Sequence, residues 1–296
     1  MDEPIETLQD TRHLNFEKEK VEAGKNPGLG VRSLHEKGFT GKGINVAIID
    51  QPLGPHKEYD DRVVSNIIVD DAKNESSMHG SAVSSLLCGK TCGVAPEANL
   101  HYYAGKGGSL ERIEKGLKDI IEKNESLEPS SKIRVVSISK GVSKDSPDYE
   151  KTKKQIDLAI EKGIFVFYVT EDYIPMIAGG SSTDKEDPLS YEEGIMYNKP
   201  DPILDAMLDS IKSQDKILIP TDYRTRASFR NDTDYIYEEE GGMSWEIPYL
   251  AGIAALALQK NPNFTFEEFN KLVISTATPI DKGFKVINPT GILDSL

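Results

Sequence analysis

Ile44-Asn45-Val46-Ala47-Ile48-Ile49-Asp50 is a nearly continuous apolar, β-branched run that ends in an acid. Such a run, without alternation, buries both of its faces, so it reads as a strand inside a parallel sheet. Asp50 then stands at the carboxyl end of the strand, the side on which open α/β sheets place their sites. The plainer role for such an aspartate is to satisfy local backbone donors in a turn. Outward from this strand the pattern alternates. Met78 to Gly89 reads as a helix with His79 at its start and small residues along one face. Asn99 to Ala104 reads as a strand, and Ser109 caps a helix whose Ile113, Leu117, Ile120 and Ile121 share a face. Val135 to Ser139 is the next strand, then a helix over Asp148 to Lys162 stopped by Gly163, then a strand over Ile164 to Val169. Strands alternating with helices predict an α/β fold, an open, mostly parallel sheet with helices on both faces.

The flanks are less patterned. Acidic clusters at Asp2 to Glu6 and Glu17 to Glu22 precede a short helix predicted over Val31 to Lys37 and ended by Gly38. Tyr173 to Asp215 is acidic and loop-rich, with one helix near Pro202 to Lys212 and its charges on a solvated face. Ile217 to Pro220 returns to the core, and Tyr235-Ile236-Tyr237 leads into a glycine turn. Thr265-Phe266-Glu267-Glu268 matches a capping box, and the tail from Asp281 reads as loop with a last short strand.

That glycine turn, Gly241-Gly242-Met243-Ser244, opens a helix from Trp245 to Lys260 that is apolar nearly all round, as a helix buried in a large core is. Pro248 falls in its first turn, where a missing N–H costs nothing. Ser244 lies beside N–H groups without intrahelical partners, at the positive end of the helix dipole, a setting that suits a developing oxyanion. The plainer alternative is that Ser244 is only an N-cap.

Composition narrows the classes. A chain of 296 residues with 38% hydrophobic content buries a substantial core, and a net charge of -14 argues against binding nucleic acid or anionic membranes. The longest apolar run, Ile247 to Leu258, is too short to span a bilayer, and the charged first forty residues hold no signal-peptide core. The chain is therefore expected to be cytoplasmic, or secreted with a signal peptide and prodomain already absent. Cys88 and Cys92 cannot form a disulfide framework; they form one local bridge or two small packed hydrophobes. No His/Cys cluster has zinc-ligand spacing, so no metal is expected.

A nucleophilic serine needs a base for its proton and a carboxylate that orients the base. Histidines occur only at His13, His35, His56, His79 and His101, so none follows Ser244. This excludes the order serine, acid, histidine, and Glu246 also breaks a G-x-S-x-G elbow. The order histidine, aspartate, serine belongs to a two-barrel β fold, which the alternation of strands and helices contradicts. Asp50, His79, Ser244 on an open α/β sheet remains.

From about Gly38 to Ala277 the chain resembles subtilisin-type serine peptidases. Gly41-Lys42-Gly43 through Asp50 resembles the family's aspartate strand, with Gln51-Pro52 for the usual Thr-Gly. Met78-His79-Gly80-Ser81-Ala82-Val83 resembles the histidine helix, with Ser81-Ala82 for Thr-His, and Gly93-Val94-Ala95-Pro96-Glu97-Ala98 is close to the segment that follows. Gly242-Met243-Ser244-Trp245-Glu246-Ile247-Pro248 stands where the family has Gly-Thr-Ser-Met-Ala-x-Pro. The resemblance implies an N-terminal extension over 1–37 and a peptidase domain over 38–296. It implies Ser244 as nucleophile, His79 as general base and then acid, and Asp50 as the group that orients His79. Ser139-Lys140-Gly141 matches the segment that pairs with an extended substrate, so the implied partner is a peptide or protein.

The departures carry expectations of their own. Asp172 falls where the family has the asparagine that donates to the oxyanion, and an ionised Asp172 would repel it, so catalysis requires Asp172 protonated. Glu171 replaces a glycine lining the main specificity pocket, where it attracts a basic side chain or obstructs the pocket. Cys88 to Cys92 is too short for the family's high-affinity calcium loop, so no cofactor is expected, with weak calcium binding by acidic loops left open. The rival reading is a pseudopeptidase that keeps the fold and binds a peptide or partner protein.

Overall fold

The computed structural model describes residues 16–73, 75–107, 110–169, 177–198, 216–280 and 283–296. Residues 16–24 are helical (α1), followed by α2 (Val31–Glu36), β1 (Asn45–Asp50), β2 (Val63–Ile68), α3 (Met78–Cys88), β3 (Asn99–Ala104), α4 (Glu111–Ser126), β4 (Ile133–Gly141), α5 (Tyr149–Glu161) and β5 (Phe165–Val169). The five strands form one sheet in the order β2-β3-β1-β4-β5, with every pairing parallel. All six residues of β1 are buried, as the uninterrupted apolar run requires. Its side chains divide between the two faces. Val46 and Ile48 pack with α3 and the later helices, whereas Ala47 and Ile49 pack with α4 and α5.

Pairing between β1 and β4 ends at Ile48↔Ser137, although β4 runs on to Gly141, which pairs with Val169 of β5 on the other side. The last residues of β4 therefore present a backbone edge that β1 leaves open.

The second half adds β6 (Ile177–Ser181), β7 (Glu192–Glu193), β8 (Ile217–Pro220), β9 (Arg224–Ala227), β10 (Tyr235–Glu238), α6 (Glu246–Lys260), α7 (Phe266–Thr276), β11 (Thr278–Pro279), β12 (Lys285–Val286) and α8 (Pro289–Asp294). A second sheet runs β11-β12-β8-β6-β7, and β9 and β10 make an antiparallel hairpin. Two expectations are corrected here. The stretch from Tyr173, read as loop, contains β6, a glycine-rich strand held by its parallel pairing to β8. The tail, read as loop and strand, also forms α8, whose N-cap Asn288 accepts from Gly291 N at 2.8 Å. The capping box at Thr265 and Glu268 is present on both sides. Ser109 and the helix expected near Pro202 to Lys212 lie outside the described residues.

The described part of the polar start, from residue 16, packs against the second half of the chain. Val21 O in α1 accepts from Thr225 Oγ1 at 2.7 Å, and Lys20 pairs with Glu239 at 2.8 Å, so α1 lies on the β9-β10 hairpin. Gly24 has no room for a side chain, since a Cβ there would fall 2.3 Å from Thr225 Oγ1. Lys185 Nζ reaches the carbonyls of Gly24 and Asn26 at 3.3 and 3.2 Å.

Burial pushes the Lys185 ammonium down to about 6, with the Arg224 guanidinium acting in the same direction. A lysine in an unfolded chain titrates near 10.4, so between these values the unfolded state binds more protons and stability rises with pH. The cost of burying this group is fully present below about pH 6 and disappears as pH rises through the unfolded value. Lys185→Met is expected to flatten this limb, removing a slope of up to about 1.4 kcal/mol per pH unit. Denaturant unfolding of both chains from pH 6 to 10 measures it; parallel profiles would mean that Lys185 is charged in the folded state.

Candidate active site

The end of β1 carries Asp50, which is fully buried. Its Oδ1 accepts from His79 Nδ1 at 2.7 Å and from Gln51 N at 2.7 Å, whereas Oδ2 has no protein partner. A carboxylate only accepts, so His79 carries a hydrogen on Nδ1, and the neutral ring has its lone pair on Nε2.

His79 is the second residue of α3, whose first turn is capped by Ser77 Oγ accepting from Gly80 N at 3.0 Å. Gly80 lets this turn approach the end of β1, because a Cβ there would lie 2.5 Å from Tyr102 Oη and 2.6 Å from Gln51 O. Tyr102 also donates to Gln51 O, fixing the chain just after Asp50. Burial raises the Tyr102 phenol well above its ordinary value, and the Asp50 charge adds to the effect.

Ser244 lies in a 3-10 turn, Met243–Trp245, that runs directly into α6. Gly241 enters the turn under tight constraint: its N–H donates to Asp222 Oδ1 at 2.7 Å, and a Cβ would fall 2.2 Å from Thr221 O. Ser139 Oγ, near the end of β4, donates to Ser244 O at 2.8 Å and ties the open strand edge to the serine turn. The N-cap of α6 is Trp245, with no side-chain cap, so the Ser244 hydroxyl is not spent on capping. Trp245 is 6% exposed, and its ring lies 5.7 Å from the His79 ring, centroid to centroid. Asp50 and His79 are thus joined directly and Ser244 is brought beside them through its neighbour. No hydrogen bond joins His79 to Ser244 in this structure.

Lys140 and Gly141 sit on the open β4 edge. Burial pushes the Lys140 ammonium down, helped by Arg112 and opposed by Asp50. Glu171 and Asp172 lie outside the described residues. The other described histidines hold the scaffold: His35 bonds Val94 O, His56 bonds Asp234 O, and His101 meets Ser65 Oγ. Cys88 and Cys92 are buried and unbridged. Among the described residues no group of three or more His, Cys, Asp or Glu side chains could hold a metal ion.

Sequence reasoning missed Asp222, which anchors Gly241 N and Ile195 N and whose carboxyl burial pushes up. It also missed the Arg226–Glu238 pair beside Trp245. No spacing signals Asp222, but opposite charges in two short strands flanking a turn would have suggested the pair.

Residues 41–201 match the sequence model of the Subtilase family. The chain is 26% identical over 274 residues to serine protease AprX of Bacillus subtilis (strain 168), covering 79% of this chain and 61% of that protein. It is 22% identical over 259 residues to subtilisin BL of Lederbergia lenta, covering 84% and 88%. Among solved structures, that of the prenylagaramide maturation protease PagA superposes with a TM-score of 0.61 at 17% identity, covering 90% of this chain and 97% of that one, a likeness of fold. The chain spans between 59% and 62% of the length of three curated relatives that it matches, AprX among them.

Proposed function

The chain belongs to the subtilase family, and from that premise we propose that it is a serine endopeptidase that cleaves peptide bonds through an acyl-enzyme. The observation that carries the reading is the 2.7 Å contact of His79 Nδ1 with the buried Asp50, beside a serine at the mouth of a buried helix. Ser244 Oγ attacks the substrate carbonyl while His79 Nε2 takes its proton. His79 then gives that proton to the leaving amine, and water releases the acyl group by the same route. Asp50 holds the tautomer and stabilises the imidazolium. An extended substrate pairs with the open edge at Ser139, Lys140 and Gly141, where main-chain hydrogen bonds supply affinity. In this reading the Ser244 N–H, in the turn that runs into α6, donates to the developing oxyanion.

Asp172 is the second oxyanion donor in this reading and acts when protonated, which makes the enzyme slow at neutral pH. Asp172→Asn is expected to raise turnover at neutral pH by about a hundredfold and to remove the preference for acid. An unchanged rate and pH profile would take Asp172 out of the oxyanion hole. By the family resemblance Glu171 takes the place of a glycine of the main specificity pocket, where it attracts a basic side chain or obstructs the pocket.

Labelling by a fluorophosphonate, followed against pH and mapped to the modified residue, tests the whole proposal. Modification of Ser244 supports it. The second reading, a pseudopeptidase that binds peptides without turnover, draws on the absent His79–Ser244 hydrogen bond, and a folded chain that never labels would favour it.

A further inference from the structure

We infer that Trp245 is a positioning residue for this reaction, holding the His79 ring and stabilising the positive charge that the ring gains when Ser244 gives up its proton. The inference rests on the serine-peptidase reading above. Asp50 fixes where His79 Nδ1 points, but a single hydrogen bond leaves the ring free to rock about its axis. The indole of Trp245 supplies the second constraint, at 5.7 Å between centroids and an interplanar angle of 33°. That separation lies within the range in which an aromatic ring attracts a cation, and indole is the strongest such partner.

The indole is itself held. It is 6% exposed and belongs to the apolar core shared by α3 and α6, and Trp245 N donates to Gly242 O at 2.9 Å. The Arg226 guanidinium lies 5.8 Å from the same ring. A free cation there would compete with an imidazolium for the ring's electrons. Glu238 prevents this: its carboxylate takes Arg226 Nε at 2.9 Å and Nη2 by a second, shorter contact, as a fork that neutralises the guanidinium. The two residues are diagonal neighbours across the hairpin, where Arg226 stands opposite Ile236. The hairpin thus braces the indole while leaving no net charge against it.

The test compares Trp245→Leu with Trp245→Phe in the full chain, reading the second-order rate of fluorophosphonate labelling against pH and the thermal unfolding midpoint. Trp245→Leu is expected to slow labelling by about 3- to 30-fold and to move the acid limb of the profile to lower pH. Trp245→Phe, which keeps an aromatic face, should recover most of the rate and the position of that limb. A role in packing alone would lower the midpoint and leave the acid limb in place, which overturns the inference. Equal losses in Leu and Phe would also overturn it. A native chain that does not label overturns the peptidase reading and the inference together, whereas a labelling native chain with an unmoved Leu profile overturns the inference alone.

Discussion

Ser244→Ala is expected to abolish serine-directed labelling and to lower peptide hydrolysis by about a millionfold, the size of the loss that the same deletion causes in subtilisin itself. The loss is large because the serine, its base and the orienting carboxylate act as one unit; without the nucleophile, His79 has no proton to move. What survives, about a thousandfold to ten-thousandfold over water, belongs to substrate binding and the oxyanion donors. The fold should not suffer, since Ser244 is tied to the scaffold through its main-chain oxygen, which takes the Ser139 hydroxyl, and not through a capping side chain. Unfolding midpoints of the two chains should therefore agree. Hydrolysis that persisted within a hundredfold would put the nucleophile at another residue.

Asp50→Ala is expected to cost about ten-thousandfold in turnover, less than loss of the serine, because the base remains but its hydrogen is no longer held on Nδ1. The geometry adds a finer expectation. The His79 ring and Gln51 N both donate to the same oxygen, Oδ1, while Oδ2 has no protein partner. An amide oxygen can occupy the Oδ1 position and accept both hydrogens, so Asp50→Asn removes the charge and keeps the orientation. Its rate should fall between those of the native chain and Asp50→Ala, and the gap between the two variants measures orientation apart from charge. Turnover with a peptide substrate, compared at equal folded fraction, gives all three rates. Asp50→Ala within tenfold of native would remove Asp50 from the mechanism.

The elements legible in the sequence are those whose burial leaves an unbroken apolar run or one regular apolar face. β1, β5 and α6 are apolar runs because both faces, or nearly all sides, meet the core, whereas α4 shows only the stripe of Ile113, Leu117, Ile120 and Ile121 that it buries. β6 carries Ala178, Gly179 and Gly180 instead of branched side chains; a Cβ at Gly180 would come within 3.1 Å of Leu218 and Tyr191, so close packing excludes the residues that mark a strand. α8 is six residues with a glycine inside, too short for a periodicity, and only its cap at Asn288 signals it. Of the site, Asp50 and His79 were legible because each closes or opens an element in a fixed direction. The inward turn of Trp245 was not, because it depends on Arg226 and Glu238, and nothing in the sequence places their hairpin against the serine turn.

The docking of α1 on that hairpin also sets a schedule. Val21 meets Thr225 across 204 positions of chain, a distance that takes roughly 10 to 40 s to synthesise at 5–20 residues per second. During that interval the parallel sheet can assemble in turn as β3, β4 and β5 emerge, while the helix that precedes them waits without its partner. A segment made among the first is therefore seated among the last, and its seating reports that the hairpin bracing Trp245 has already formed.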